Sequence, residues 1–173
     1  MHFITRWIVA GSLAFTSMIS AFSSAEIYAQ SVPKPVQVSQ LKLKDLSGRW
    51  TGVGDMSFRD GTKEHIKCRI VYRSRSIRKL IQKIWCKNRN IRLEVQAEII
   101  DKNGRLSGSW DDRVYSMSGQ LRGQLKGNQL KASLAGGFFN AKLNISVIGR
   151  RQTIQFTPDQ GQLRSMQLRL ARG

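Results

Sequence analysis

Short segments in which apolar and polar residues alternate, separated by turn residues, constrain this chain more than any other feature. Between 64 and 73, for example, Ile66 and Cys68 flank the charged Lys67, and the alternation continues in both directions. Gly, Asn and Asp recur between such segments at intervals of about 8–12 residues, which is typical of an all-β sandwich or barrel. Helical periodicity beyond one or two turns is missing from 46–173.

The alternation predicts nine or ten consecutive antiparallel strands. Asn103-Gly104 is a strong hairpin signal, because both residues tolerate positive φ. A meander of this length closes on itself or stacks two sheets, because open strand edges invite aggregation. We therefore predict an antiparallel meander that closes into a small barrel, with a β-sandwich as the alternative. The expected strands are about 47–58, 64–73, 78–87, 91–99, 105–110, 114–122, 128–135, 138–148, 151–157 and 163–170.

The two cysteines give this prediction an internal test. Pairing of the second and third strands around a turn near 75–77 brings Cys68 opposite Cys86, or within two residues of it. Both cysteines fall on the apolar face, and neighbouring antiparallel strands can hold such Cβ atoms within disulfide reach. We predict a Cys68–Cys86 disulfide.

The first residues have the pattern of an export signal. Arg6 precedes an apolar stretch from Trp7 to about Phe22, and small residues follow it. Cleavage after Ala25 or Ala29 fits the small-residue rule, and we favour Ala29. The alternative is an uncleaved anchor, but this stretch is shorter than the ~20 residues that span a bilayer. We expect a periplasmic or secreted protein, in which a disulfide can form.

These observations divide the chain into a signal peptide (1–29), a flexible linker (30–45) and a single β-barrel domain (46–173). Pro33 and Pro35 favour extended backbone in the linker. The rest of the chain contains no stretch apolar enough for a membrane helix. The outward faces of the predicted strands are charged, which disfavours a barrel embedded in lipid. We predict a protein that does not span a membrane.

The balance of charge suggests an anionic partner. Lys and Arg number 29 against 11 Asp and Glu, a formal net charge of +18. Such a field attracts polyanions. The second and third strands form a basic hairpin, whose outward face carries Lys67, Arg69, Arg73, Lys79, Lys83 and Lys87 around Trp85.

We predict that this basic hairpin binds an anionic envelope component, such as lipopolysaccharide, a lipid surface or an acidic protein. Export argues against nucleic acid. The alternative is that the charges only protect sheet edges from aggregation and that Trp85 packs beneath the linker.

The first strand carries a second hypothesis. Its Gly48-x-Trp50 motif, followed by Gly52 and Gly54, resembles the opening of lipocalins and of other calycins, including avidin-like barrels. The same string is similar to the first strand of nitrobindin-type haem-binding barrels, and the overall pattern is similar to exported alphaproteobacterial proteins. The resemblance implies an antiparallel barrel with a ligand pocket at one end.

A carrier of a small apolar ligand is therefore the alternative function, with Trp50 and Trp110 as candidate ligand residues. Trp110 is included as a candidate because the pentapeptide Leu46–Trp50 recurs as Leu106–Trp110 with one substitution. The nitrobindin likeness implies a haem-ligating histidine near the C-terminus. No histidine follows His65 in this chain, so we expect no haem and no other cofactor.

Catalytic chemistry is not indicated. A serine hydrolase needs a general base, and His65 lies on an outward strand face among basic residues. Asp111 and Asp112 are adjacent, so in a strand they point to opposite sides, and we expect a turn role for them. The paired cysteines leave no thiol nucleophile and too few ligands for a metal. We predict a non-enzymatic protein with no catalytic residues and no metal site.

Overall fold

The computed structural model describes residues 40–173. A short 3-10 helix at Leu43–Leu46 precedes ten strands. The strands are β1 (Gly48–Phe58), β2 (Lys63–Ser76), β3 (Lys79–Lys87), β4 (Arg92–Lys102), β5 (Arg105–Asp112), β6 (Met117–Lys126), β7 (Gln129–Gly136), β8 (Phe139–Ile148), β9 (Arg151–Pro158) and β10 (Leu163–Arg172).

Each strand pairs antiparallel with the next strand in the chain, and β10 pairs with β1 to close a barrel. The closing seam runs from Trp50 opposite Arg172 to Phe58 opposite Leu163, with a bulge between Ser57 and Phe58. The predicted antiparallel barrel is confirmed, and the sandwich alternative is wrong, because a single closed sheet contains all ten strands.

Besides single-residue shifts and the later ends of β4, β6 and β10, strand boundaries differ from the sequence prediction at two places. β2 extends to Ser76, so the hairpin turn to β3 shortens to 77–78. β5 continues to Asp112, and β6 begins at Met117. Asp112 causes the second difference, because its Oδ1 accepts hydrogen bonds from the backbone N–H groups of Val114 and Tyr115 and fixes a turn there.

The end of the barrel that contains the 3-10 helix, here called the closed end, is filled with side chains. Leu43 and Leu46 are almost completely buried beside Trp50. Leu41 is also buried, and its N–H donates to the carbonyl oxygen of Gly127. Leu41 and Leu43 therefore pack into the core from the segment that the sequence analysis placed at the end of the linker. Leucines in a 3-10 turn give no period that sequence patterning can detect.

Glycines in β1 allow its backbone to approach the neighbouring strand β10 very closely. A Cβ atom at Gly52 would collide with the carbonyl oxygen of Arg169 on β10. Only glycine permits so close an approach of two backbones. Gly108 has the same role in β5, where a Cβ would collide with the carbonyl oxygen of Glu98.

The predicted disulfide is confirmed. Cys68 and Cys86 are bonded, and they lie directly opposite each other in the β2–β3 ladder with Cα atoms 4.1 Å apart. Both cysteines are buried in the barrel interior. The bond therefore links two strands that are already neighbours and fixes their register.

The predicted signal peptide and residues 30–39 of the predicted linker lie outside the described residues. Within 40–173, no helix is both long and apolar enough to cross a bilayer.

Candidate functional site

An apolar pocket occupies the barrel interior at the end opposite the 3-10 helix, here called the open end. The turns 59–62, 88–91, 113–116, 137–138 and 159–162 surround its mouth. Its volume is about 780 Å³. The wall is formed by inward side chains of most strands, chiefly Ile70, Ile84, Leu93, Val95, Trp110, Met117, Phe139, Leu143, Ile154, Phe156, Met166 and Leu168.

Three aromatic rings form one wall of this pocket. The ring centroids of Trp110 and Phe139 are 5.5 Å apart, and those of Phe139 and Phe156 are 6.4 Å apart. Trp110 Nε1–H is buried, and it has no hydrogen-bond acceptor within residues 40–173. Trp110, one of the two tryptophans predicted as ligand residues, therefore lines the pocket with its ring, while its N–H group is covered by protein.

Trp50, the other predicted ligand residue, lies elsewhere. It is completely buried at the closed end, where its Nε1–H donates to the Leu46 carbonyl oxygen at 2.8 Å. The Arg172 guanidinium lies 4.5 Å from the centroid of its ring. Trp50 does not line the open-end pocket, so the two copies of the repeated pentapeptide have different surroundings.

A buried polar cluster of Tyr72, Gln82 and Gln152 lies inside the barrel beside the pocket. Tyr72 Oη accepts hydrogen bonds from Gln82 Nε2 and Gln152 Nε2, both at 3.0 Å. All three side chains are at most 3% exposed, and Gln82 also lines the pocket. Burial raises the pKa of Tyr72 well above its ordinary value, because the phenolate would lose its hydration. Sequence analysis missed this cluster, because Tyr72 and Gln82 read as ordinary inward positions.

Asp112 places a carboxylate at the mouth of the pocket. It is 4% exposed, and its Oδ1 accepts hydrogen bonds from the N–H groups of Val114 at 2.7 Å and Tyr115 at 3.0 Å. The expected turn role of Asp112 is therefore present, and the same side chain also lines the pocket. Asp111 points to the other side of β5, as alternation requires. Phe138, 92% exposed, stands at the rim.

The outward side chains of β2 and β3 form the basic hairpin expected from the sequence. Lys67 lies directly opposite Lys87, and Arg69 lies opposite Trp85. The Arg69 guanidinium is 4.6 Å from the centroid of the Trp85 ring. Each of these pairs places cations on the exposed wall of the barrel, away from the pocket.

The other predicted hairpin cations are less uniform. Lys83 lies opposite Val71, and Arg73 lies opposite Ile81. Lys83 and Arg73 are both exposed. Lys79 Nζ lies 2.8 Å from Glu98 Oε1 on β4 and forms an ion pair with it. The interpretation that Trp85 packs beneath the N-terminal linker has no counterpart in residues 40–173, where Arg69 covers the ring.

The two ends of the barrel differ sharply in charge. We counted the charged residues in each turn together with the two strand residues on either side of it. By this count the open end has seven cations and five acids within the described chain. The closed end, counted in the same way with 40–49 and 171–173, has twelve cations and two acids, Asp45 and Asp101. We call these twelve the closed-end cap: Lys42, Lys44, Arg49, Arg75, Arg78, Lys79, Lys102, Arg105, Lys126, Arg150, Arg151 and Arg172.

His65 lies on the outside of the barrel, as expected. Its side chain is 91% exposed, and its Nδ1 is 2.8 Å from Asp55 Oδ1. Hydrogen bonds from Arg169 and then from His65 hold the pKa of the Asp55 carboxyl below its ordinary value. Among residues 40–173, no three His, Cys, Asp or Glu side chains are grouped as a metal ion would require.

No protein-family model and no curated protein matches the chain in sequence. Solved structures share its fold, among them these two. Rv2717c from M. tuberculosis has a TM-score of 0.63 and 11% identity over 76% of this chain and 94% of that one. The S-type phycobiliprotein lyase CPES from Guillardia theta has a TM-score of 0.55 and 9% identity over 76% of this chain and 90% of that one.

At such low identity these similarities establish the fold alone. Both neighbours are ten-stranded barrels, consistent with the calycin-like barrel that the Gly48-x-Trp50 motif suggested.

Proposed function

We propose that the protein binds a small, mainly apolar molecule in the open-end pocket and carries it without chemical change. The observation that supports this proposal is an apolar cavity of about 780 Å³ inside the barrel. Pockets for small organic ligands measure roughly 300–1,000 Å³ and are lined mostly by apolar and aromatic side chains with few polar groups.

A carrier function requires a barrel interior that its own aromatic side chains do not fill. Trp50 packs at the closed end, and Phe138 stands outside at the rim. Trp110 and Phe139 form a wall and leave space beside them. This arrangement favours the carrier function over the basic hairpin as the main activity.

The polar groups of the pocket restrict the ligand further. Trp110 Nε1–H lacks a protein acceptor within the described chain, and an unpaired buried donor costs about 1–3 kcal/mol. Gln82 contributes an amide, and Asp112 contributes a carboxylate at the mouth. A ligand with an apolar body and a polar group that reaches Gln82 or Asp112 matches the accessible part of this set.

A paired substitution tests the carrier function. Val95→Trp fills the pocket, whereas Val53→Trp makes the same change on the outer face of β1, where Val53 is 50% exposed. We expect Val95→Trp to reduce binding of an apolar fluorescent probe at least tenfold and Val53→Trp to leave it unchanged. Equal binding by both variants would show that the probe does not enter the barrel.

Native mass spectrometry of protein purified from its own cells can identify the ligand. An additional mass that is lost on denaturation, and that is absent from Val95→Trp, would identify the class of molecule carried. A bare polypeptide mass together with no probe binding would contradict the proposal.

A second candidate function is binding of an anionic envelope component by the basic hairpin. Its specific support is the Lys67–Lys87 pair, because like charges directly opposite each other destabilise a sheet unless an anion lies between them. The stacking of Arg69 on Trp85 and the pairing of Lys79 with Glu98 weaken this candidate, since they occupy two cations and the aromatic face.

The proposed place of action is the periplasm or the extracellular space. The disulfide supports this location, because such bonds persist in oxidising compartments. The export pattern of residues 1–29 supports it independently. Secretion of the protein fused to a reporter, and loss of secretion without 1–29, would test it.

A further inference from the structure

The excess positive charge of the barrel is concentrated at the end opposite the pocket mouth. The closed-end cap contains twelve cations against two acids, while the open end is nearly balanced. Three of the cap cations are partly engaged: Lys79 pairs with Glu98, Arg172 stacks on Trp50, and Arg150 donates to the Arg172 carbonyl oxygen. Most of the others are exposed to solvent. The barrel is therefore polarised along its axis.

Two large apolar side chains project from the same end. Ile77, at the β2–β3 turn, is 77% exposed, and Ile148, before the β8–β9 turn, is 72% exposed. Each has arginines beside it in the same turn: Arg75 and Arg78 flank Ile77, and Arg150 follows Ile148. Ile77 is a turn residue and Ile148 is the last residue of β8, and at such exposed positions beside turns polar or small residues are more common.

The cap cations are spread around the whole rim of the closed end. They come from the segment before β1, the start of β1, the end of β10, and all four closed-end turns with their flanking strand residues. A compact anion would contact only one or two of these segments. An extended, flat anionic surface can contact all of them together.

We propose that the closed-end cap docks on the surface of an anionic lipid bilayer, with Ile77 and Ile148 entering the headgroup region and the pocket mouth facing away from the membrane. Cations attract such a surface within about a Debye length. Exposed apolar side chains flanked by cations suit a layer that is charged outside and apolar beneath. A nucleic acid or an acidic protein offers charge without that apolar layer.

This orientation is independent of whether a ligand occupies the pocket. The opposite orientation would place Phe138 and Tyr115 of the mouth on the membrane. The balanced charge of the open end offers little attraction for it, since its seven cations accompany five acids.

Matched triple variants test the proposal. Lys44, Lys102 and Lys126 in the closed-end cap are replaced by Gln in one variant, and Lys67, Lys83 and Lys87 of the basic hairpin in the other. Each variant loses the same net charge and the same residue type. Sedimentation of the protein with phosphatidylcholine vesicles, with and without phosphatidylglycerol, measures binding.

We expect the wild-type protein to bind only vesicles that contain phosphatidylglycerol. A cation near an anionic surface strengthens association by about fivefold. The cap variant should therefore lose about a hundredfold in affinity, and the hairpin variant much less. Equal losses, a larger loss in the hairpin variant, or no binding by the wild-type protein would overturn the proposal.

Single substitutions of exposed apolar residues by serine test the orientation separately. Ile77→Ser and Ile148→Ser should each weaken vesicle binding severalfold, whereas Phe138→Ser at the mouth should leave it unchanged. The reverse result would show that the mouth contacts the membrane. Binding of the apolar fluorescent probe in the absence of vesicles, measured on the same variants, distinguishes failure of this proposal from failure of the carrier function.

Discussion

The guanidinium of Arg172 lies 4.5 Å from the centroid of the Trp50 ring, and the two residues are also direct partners across the β1–β10 seam. Trp50 Nε1–H donates to the Leu46 carbonyl oxygen at 2.8 Å. One side chain thus joins the first strand, the last strand and the 3-10 helix. A cation over an indole face is stabilising, more so when it is shielded from water.

Replacement of Trp50 tests the importance of this junction. Trp50→Phe removes the indole N–H, leaves a buried carbonyl without its donor and opens a small cavity. We expect the free energy of unfolding to fall by about 2–3 kcal/mol. Urea denaturation provides the measurement. Trp85→Phe, on the half-buried outer face, is the control and should change stability by about 0.5 kcal/mol or less. Similar losses in both variants would contradict a special role for Trp50.

The disulfide should stabilise the barrel by restricting the unfolded chain. Its cysteines are 18 residues apart in sequence, and a loop of that size corresponds to about 3 kcal/mol in the chain-entropy model. We expect the Cys68→Ala/Cys86→Ala variant to unfold at lower urea concentration by that amount. Adding a reductant should destabilise the wild-type protein and leave the variant unaffected. A variant as stable as the wild-type protein would show that the unfolded chain is already restricted there.

The buried Tyr72 hydroxyl predicts a dependence of stability on alkaline pH. Its pKa is raised by burial, while that of the unfolded chain stays near 10. The stabilisation is therefore fully present below about pH 10 and is lost as pH rises above it, because only the unfolded state releases the proton there.

Tyr72→Phe isolates this effect. At about pH 8 the variant should be less stable by about 1–3 kcal/mol, because the Gln82 and Gln152 amides lose their acceptor. That difference should shrink at about pH 11, above the unfolded pKa. Tyr115→Phe, at an exposed rim residue, is the control. A difference that does not change with pH would mean that Tyr72 ionises equally in both states.

Asp112 should stabilise the rim of the pocket, because its side chain fixes the turn between β5 and β6. Asp112→Ala removes the acceptor for the Val114 and Tyr115 N–H groups, and we expect a loss of about 1–2 kcal/mol and severalfold weaker binding of an apolar fluorescent probe. Asp112→Asn keeps an acceptor oxygen and should retain most of both. Asp111→Ala on the outer side of β5 serves as control. If Asp112→Asn were as damaging as Asp112→Ala, the negative charge itself would be required.

Strands and their register were predictable because each strand contrasts one buried face with one charged face. Cys68 and Cys86 shared an apolar face, so the hairpin turn alone brought them together. The same alternation placed Lys67 and Lys87 outside the barrel. The alternation within a strand and the length of a turn are local properties of the sequence. They are sufficient here because nearly all strands of this barrel pair with the next strand in the chain.

The site was less predictable because it depends on which end of the barrel is filled. Trp50 and Trp110 have nearly the same local sequence, yet one packs beneath the 3-10 helix and the other lines the pocket. The 3-10 helix covers Trp50 and not Trp110. Its Leu43 and Leu46 lie in a segment whose apolar residues show no helical or strand periodicity. Similarly, the closed-end cap assembles from turns far apart in sequence, so no charged run reveals it.

The order of strand pairing also bears on how quickly the protein can fold. Nine pairings join consecutive strands, and the β1–β10 seam alone joins distant ones; within it, Arg169 reaches Asp55 across 114 residues. The entropy of closing so long a loop must be overcome before this contact is gained. We expect closure of the seam to limit the folding rate. Until it occurs, the free edges of β1 and β10 can pair with another copy of the chain, so that exchange of strands competes with folding at high protein concentration.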